Sequence, residues 1–308
     1  RHNQHHPPRG SPAASTQPIR GTEQHPNHSS SLGGNIMSKL GITEADGHLI
    51  FLEDLVRKEQ RKAYQKEDFL STQWQQDLWE DVASVEKIRF ASKSPSSVIP
   101  SSPQAPPSDL CVDWREKICE WKYKVVDCFD LDREVVSISM FFLDKYLEKH
   151  FVNEELFQLA AMACIYLATK IHCPKKISMK QIVSLGGDGF TTDHLEAMEL
   201  SVANTLGWHL HPPTSVRFIE NFFPLIIGDV RDEFGVSSAL ELSRFLTELS
   251  VCVYQFTSSN SKPSSVAIAA MLLSISHCQL PHAIEDKLRE LTASLSLESN
   301  SHEIRKCE

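Results

Sequence analysis

Nine stretches between Trp114 and Leu295 carry apolar residues at helical spacing or the residues that start and stop helices. The clearest is NEELFQLAAMACIYLATKI, Asn153 to Ile171. Its Leu156, Leu159, Ala160, Ala163, Cys164, Leu167 and Ala168 repeat at three and four and mark one face, while Phe157, Met162, Ile165 and Tyr166 extend apolar character round much of the circumference. Such a helix belongs inside a bundle, and its alanines let neighbouring helices approach closely. Lys170 falls in the last turn, where a cation suits the helix dipole and still reaches solvent or a partner.

Before this helix, Trp114 to Phe129 sets Trp114, Ile118, Trp121, Val125 and Phe129 in one stripe, and a segment from Arg133 is apolar on most sides yet carries Asp144 inside it. After it come Ser178–Leu185 and Asp193–Leu206. Asp193 followed by Glu196 resembles a capping box, and Gly207 fits a helix stop. The intervening GGDG, Gly186 to Gly189, lacks the Lys-Ser/Thr of a phosphate loop and follows no strand, so it reads as a connector.

After HPPT, His211 to Thr214, the same grammar returns in Ser215–Ile227, Ser237–Phe256, Pro263–His277 and Pro281–Leu295. SVAIAAMLLSI, Ser265 to Ile275, echoes LAAMACIYLA of the central helix and stands third in its set, as that helix does. SHEIRKCE, Ser301 to Glu308, looks like the start of a fifth helix cut short. The expected architecture is all-α: two five-helix bundles in tandem, residues 109–210 and 211–308, the second truncated. Residues 1–47, rich in His, Pro, Ser, Gly and Asn, are expected to form a disordered tail. Residues 48–92, with Leu52, Leu55 and Val56 in one run and Leu70, Trp74, Leu78 and Trp79 in another, read as an accessory helical arm; Ser/Pro-rich residues 93–108 read as a linker.

Composition narrows the chemistry. A chain of 308 residues with 41% hydrophobic content can bury a real core, and a net charge of -9 argues against a surface that coats nucleic acid. Proteins are the expected partners. Eight cysteines without a C-x-x-C pair, several within apolar helical patterns, read as buried free thiols and suggest a reducing compartment, nucleus or cytoplasm. No run of 18 apolar residues spans a membrane and no secretory signal is found; a first residue of Arg1 rather than methionine suggests a fragment. His2, His5, His6, His25 and His28 read as a solvated tail rather than a metal site. Ser94 and Ser102 precede proline and read equally as proline-directed kinase sites or as plain linker. No nucleophile with a base, metal-ligand spacing or phosphate loop stands out, so neither an enzyme, a cofactor nor a metal is expected.

Five residues sharpen the reading: Arg115, Asp144, Leu159, Lys170 and Glu199, at intervals of 29, 15, 11 and 29. Each stands, without gaps, where a cyclin box carries a signature residue, and over 109–210 the chain resembles a cyclin; from Pro212 the resemblance is looser. It implies a regulatory subunit that binds and activates a cyclin-dependent protein kinase in cell-cycle control. Arg115 and Asp144 would form a structural ion pair within the bundle. Lys170 and Glu199 would hydrogen-bond the main chain around the kinase's C helix, with Leu167 and Ile171 supplying apolar contact.

Cyclins that recruit substrates or inhibitors through Arg-x-Leu peptides use an apolar patch, matched here by Trp114, Ile118, Trp121 and Gln158. The acid that meets the peptide's arginine is replaced by Lys124, which would repel it. Neither an R-x-x-L destruction box nor an L-x-C-x-E motif occurs. The rival class is a general transcription factor of the IIB type, which shares the tandem fold but would want a cysteine zinc ribbon and a basic surface; a third is a cyclin-fold scaffold without kinase activation.

Overall fold

In the computed structural model, residues 43–66, 108–150, 152–187, 189–228, 233–256 and 261–297 are described, and their regular elements are helices. In chain order these are α1 (Glu44–Glu59), α2 (Ser108–Cys128), α3 (Glu134–Leu147), α4 (Glu154–His172), α5 (Met179–Leu185), α6 (Thr192–Thr205), α7 (Ser215–Ile227), α8 (Glu233–Cys252), α9 (Pro263–His277) and α10 (His282–Ser294). Single 3-10 turns follow α1 at Lys62–Tyr64 and α8 at Tyr254–Phe256. The run Leu70, Trp74, Leu78 and Trp79, the Ser/Pro stretch up to residue 107 and the segment from Ser301 lie outside the described residues.

Helices α2 to α6 enclose one apolar core and α7 to α10 a second. Both lie in one compact unit, Ala45–Glu308. The centre of the first is α4, buried from Phe157 to Thr169 with the exception of Gln158 and Tyr166. Its start is set by Asn153, whose side chain accepts from Leu156 N at 2.9 Å. That cap leaves Leu156 on the first turn, outside the bundle and 44% exposed, so the expected inward face begins at Phe157 instead. The second core is built round α9, whose Ala267, Ile268, Ala269 and Met271 meet Phe218, Phe222 and Phe223 of α7.

Two local expectations change. Helix α6 is capped by Thr191 rather than Asp193: the extended Thr191 accepts from His194 N at 3.3 Å, and the His194 ring meets Thr191 N in return. Its end is as expected, with Gly207 at φ +56 and with Trp208 N and Gly207 N donating back to Ala203 O and Asn204 O, the paired bonds of a left-handed helix stop. On α2 the stripe Trp114, Ile118, Trp121 is only half buried. The innermost face is Arg115, Cys119, Lys122 and Val126, each at most 1% exposed, because both cations find partners inside.

The N-terminal segment does not stand apart. Leu52, Leu55 and Val56 of α1 are in the second core, and His48 Nδ1 lies 2.9 Å from Asn221 Oδ1 on α7. At the other end of α1, Glu59 accepts from Ser264 N at 2.8 Å and Ser264 Oγ at 2.7 Å. Lys262, which precedes α9, makes no side-chain cap bond; the carboxylate of Glu59 caps that helix from 205 residues away, where an anion also suits the dipole.

The bundles are joined by polar contacts as well. Glu134 at the start of α3 pairs with Arg217 of α7 at 2.9 Å and accepts from Thr214 Oγ1 at 2.6 Å. Arg133 donates to Glu248 of α8 at 2.8 Å, and Tyr123 donates to Glu248 O at 3.1 Å.

Candidate functional site

The packing of α4 on α6 brings together two of the five marked residues at the surface. Lys170 Nζ donates to Glu199 Oε1 at 2.8 Å. The lysine side chain is 52% exposed and the glutamate 12%, so the ammonium faces outward while its partner is rooted in the bundle. The bond to Glu199 holds the Lys170 pKa above its ordinary value despite some burial. Its charge also lies 5.6 Å from the Tyr166 ring, a cation–π contact. Lys176 donates to Lys170 O at 2.7 Å, which occupies a carbonyl that the end of α4 leaves without an intrahelical donor.

The apolar neighbours divide. Ile171 is half buried and flanks the pair, whereas Leu167 is 4% exposed and packs within the first core. Of these two apolar side chains, Ile171 is the one left partly exposed at this end of α4. Leu159, 7% exposed, is likewise a core residue.

The other marked pair is buried inside the first bundle. Arg115 of α2 donates Nε to Asp144 Oδ1 at 2.9 Å and Nη2 to Oδ2 at 3.1 Å, a bidentate arrangement within the first bundle. Arg115 Nη1 donates to Val251 O at 3.0 Å, so the same guanidinium holds the end of α8. Lys66 Nζ adds a third bond to Asp144 Oδ2 at 2.8 Å. Burial alone would raise the Asp144 pKa, but Arg115 and Lys66 outweigh it and hold the carboxyl below its usual range. Burial pushes the Lys66 pKa down, and Asp144 only partly offsets this.

Two members of this network escaped the sequence reading. Lys66 lies in the segment before the first bundle and carries no pattern that would mark it. Lys122 is fully buried, donates to Ser139 O at 3.2 Å and is pushed down to about 8 by burial. Its position seven residues after Arg115 is the one sequence signal, since it puts two cations on one helix face.

The expected peptide patch is assembled in part. Trp114, Ile118 and Trp121 line up along α2, half buried against the first core, and Trp114 meets the Phe157 ring at 5.8 Å. Gln158 is exposed and donates to Gly186 O at 3.4 Å. Lys124 is exposed, leaving a cation where an acid would be wanted.

Residues 86–211 match the family model described as cyclin, N-terminal domain, so this part of the chain carries a cyclin-type domain. It is 24% identical over 170 residues to the G2/mitotic-specific cyclin-B3 of Gallus gallus, covering 54% of this chain and 40% of that one. The chain thus spans about two fifths of the length of the first curated relatives it matches. Its fold is similar to that of a viral cyclin from herpesvirus saimiri, at a TM-score of 0.50 and 18% identity over 64% of this chain and 86% of that one. A chain of the CAK complex from Chaetomium thermophilum bound to ATP-gamma-S is similar at a TM-score of 0.52 and 13% identity, over 81% and 84%. The family match ends at residue 211, and the second bundle shares the all-helical fold.

Proposed function

We propose that this chain is the regulatory subunit of a cyclin-dependent protein kinase and that the end of α4, with Lys170, Glu199 and Ile171, docks the kinase's C helix. The observation that carries this reading is the Lys170–Glu199 pair, 29 residues apart in sequence and 2.8 Å apart at the bundle surface. Lys170 offers ammonium donors to main-chain carbonyls, Glu199 offers carboxylate oxygen to main-chain N–H groups, and Ile171 adds apolar burial beside them. The mechanism is a population shift in the partner. A subunit that binds the active kinase about 100-fold better than the inactive one moves the balance by about 2.7 kcal/mol. Catalysis belongs to the kinase, whose own lysine and glutamate pair once the C helix is held inward.

The buried Arg115–Asp144 pair supports this role indirectly, by holding α2, α3 and the end of α8 in one arrangement. The α2 patch of Trp114, Ile118 and Trp121, with Gln158, is the proposed site for substrate or inhibitor peptides, and Lys124 shifts its preference away from arginine.

The test is co-purification of a cyclin-dependent kinase with the Lys170→Ala, Glu199→Ala double variant. Loss of the kinase with helical content unchanged is expected. Undiminished kinase capture by the folded double variant overturns the docking site.

A further inference from the structure

Six free thiols lie among the described residues, and two of them face each other. Cys119 of α2 and Cys252 at the end of α8 place their Sγ atoms 3.4 Å apart across the junction of the two bundles, though 133 residues separate them in sequence. Cys119 is fully buried, and Cys252 is half buried. Arg115, one turn before Cys119, donates to Val251 O at 3.0 Å and Cys252 O at 3.5 Å, which sets a guanidinium beside the Cys252 thiol.

The charges around Cys252 are unequal. The hydrogen bond shared with Cys119 and the nearby Arg115 hold its pKa below the ordinary thiol value, against partial burial and the charges of Glu120 and Glu116. Cys119 is pushed upward by that same bond and by burial. The pair therefore contains one half-buried thiol beside the Arg115 guanidinium and one fully buried thiol behind it. That asymmetry separates an attacking thiol from a resolving one.

We propose that Cys119 and Cys252 form a hydroperoxide-responsive disulfide site that bolts α2 to α8, with Cys252 as the thiol that meets the oxidant and Cys119 as the resolving thiol. The Cys252 thiolate attacks one peroxide oxygen and breaks the O–O bond, giving a Cys252 sulfenic acid and hydroxide, which leaves as water with a proton from solvent. The Cys119 sulfur then attacks the sulfenic sulfur; the S–O bond breaks, the departing hydroxide takes the Cys119 proton, and the S–S bond forms. In sum, two thiols are oxidised and one hydrogen peroxide is reduced to two waters. A small dithiol reverses the bond by exchange. Because Arg115 spans both the cysteine pair and Asp144, the crosslink would fix the junction on which the first bundle's ion pair depends. This inference is independent of the kinase reading.

The experiment treats the full chain with graded hydrogen peroxide, blocks remaining thiols with an alkylating maleimide, and maps the digest without reduction by mass spectrometry. The expected result is a Cys119–Cys252 crosslink that disappears with dithiothreitol, formed at about tenfold lower peroxide than oxidises the exposed Cys128. In Cys119→Ser, dimedone should trap a sulfenic acid on Cys252. In Cys252→Ser, Cys119 should remain a free thiol at the same dose. The proposal is overturned if Cys252 in the wild type stays alkylatable at doses that oxidise Cys128, if it pairs with a different cysteine, or if the sulfenic acid in the wild type persists without resolution. The wild-type measurement decides the matter even if a substitution at buried Cys119 impairs folding.

Discussion

Arg115 and Asp144 meet as a two-pronged ion pair inside the first bundle, with contacts of 2.9 and 3.1 Å and each side chain 1% exposed. The pair is not closed: Lys66 reaches the same carboxylate at 2.8 Å and Arg115 reaches on to Val251 O at 3.0 Å. One buried aspartate therefore ties together the segment after α1, helices α2 and α3, and, through Arg115, the end of α8. A group so placed is costly to unpair.

Arg115→Ala leaves Asp144 with Lys66 as its one remaining cation in this network, and Asp144→Ala leaves the buried Arg115 and the partly buried Lys66 without their shared carboxylate. Each should cost about 3 to 5 kcal/mol, read from urea unfolding. Asp144 also predicts acid sensitivity. Its pKa in the folded chain lies below the unfolded value of 3.8, so its contribution is complete above that value and is lost as pH falls from there towards the lowered one. Unfolding free energy should fall in that window, and Asp144→Asn should flatten the profile there. An unchanged profile would show that the pair is not what titrates.

Lys122 predicts the opposite slope. Its folded pKa is pushed down to about 8 from 10.5, so the unfolded chain binds the proton more tightly and stability should rise as pH climbs between those values. Lys122→Met removes a buried charge that donates to Ser139 O. It should raise stability at neutral pH by about 1 to 3 kcal/mol and abolish the rise above pH 8. Calorimetry across that range compares the two chains.

Lys170 and Glu199 should matter little to stability. Half of the Lys170 side chain is in solvent, and such pairs contribute no more than about 0.5 to 1 kcal/mol. The double alanine variant should therefore melt within a few degrees of the wild type while losing the kinase. A large fall in melting temperature would mean that the pair is structural.

The α2 patch makes a charge prediction. Lys124→Glu should strengthen binding of an Arg-x-Leu peptide by roughly tenfold, about 1.4 kcal/mol, measured by fluorescence anisotropy. No gain would remove this surface from peptide docking. Trp121→Ala should weaken the same binding, provided that its melting temperature is retained, since Trp121 also packs on the first core.

Helix α1 should behave as a core element. Leu52 is fully buried against the second core, so Leu52→Ala should cost about 2 to 5 kcal/mol and raise amide exchange in α7 and α9. A solvent-facing arm would lose less than about 0.5 kcal/mol.

Most of the helical scaffold was readable because helix formation is a near-neighbour event. Residues three and four apart share a face whatever surrounds them, so α4, α5, α6, α7, α9 and α10 begin and end close to where periodicity and end signals put them. The reading failed where one residue's cap or one face's burial depended on distant chain. Leu156 fits the apolar repeat, yet the Asn153 cap leaves it on the exposed first turn. On α2, hydrophobicity pointed to Trp114, Ile118 and Trp121, but the deeper face carries Arg115 and Lys122.

The candidate docking pair was legible for a different reason: Lys170 and Glu199 fit the spacing of a recognised box, and the packing of α4 on α6 then brings them to 2.8 Å. Spacing along the chain could not reveal that Lys66 would close on Asp144 across 78 residues, or that Cys119 and Cys252 would meet across 133. Apolar period is written in local covalent geometry, and it suffices to set the helices and their rough inward faces. A buried charge or a paired thiol is tolerated only when its partner arrives, and the partners here come from segments that the folded arrangement alone brings together.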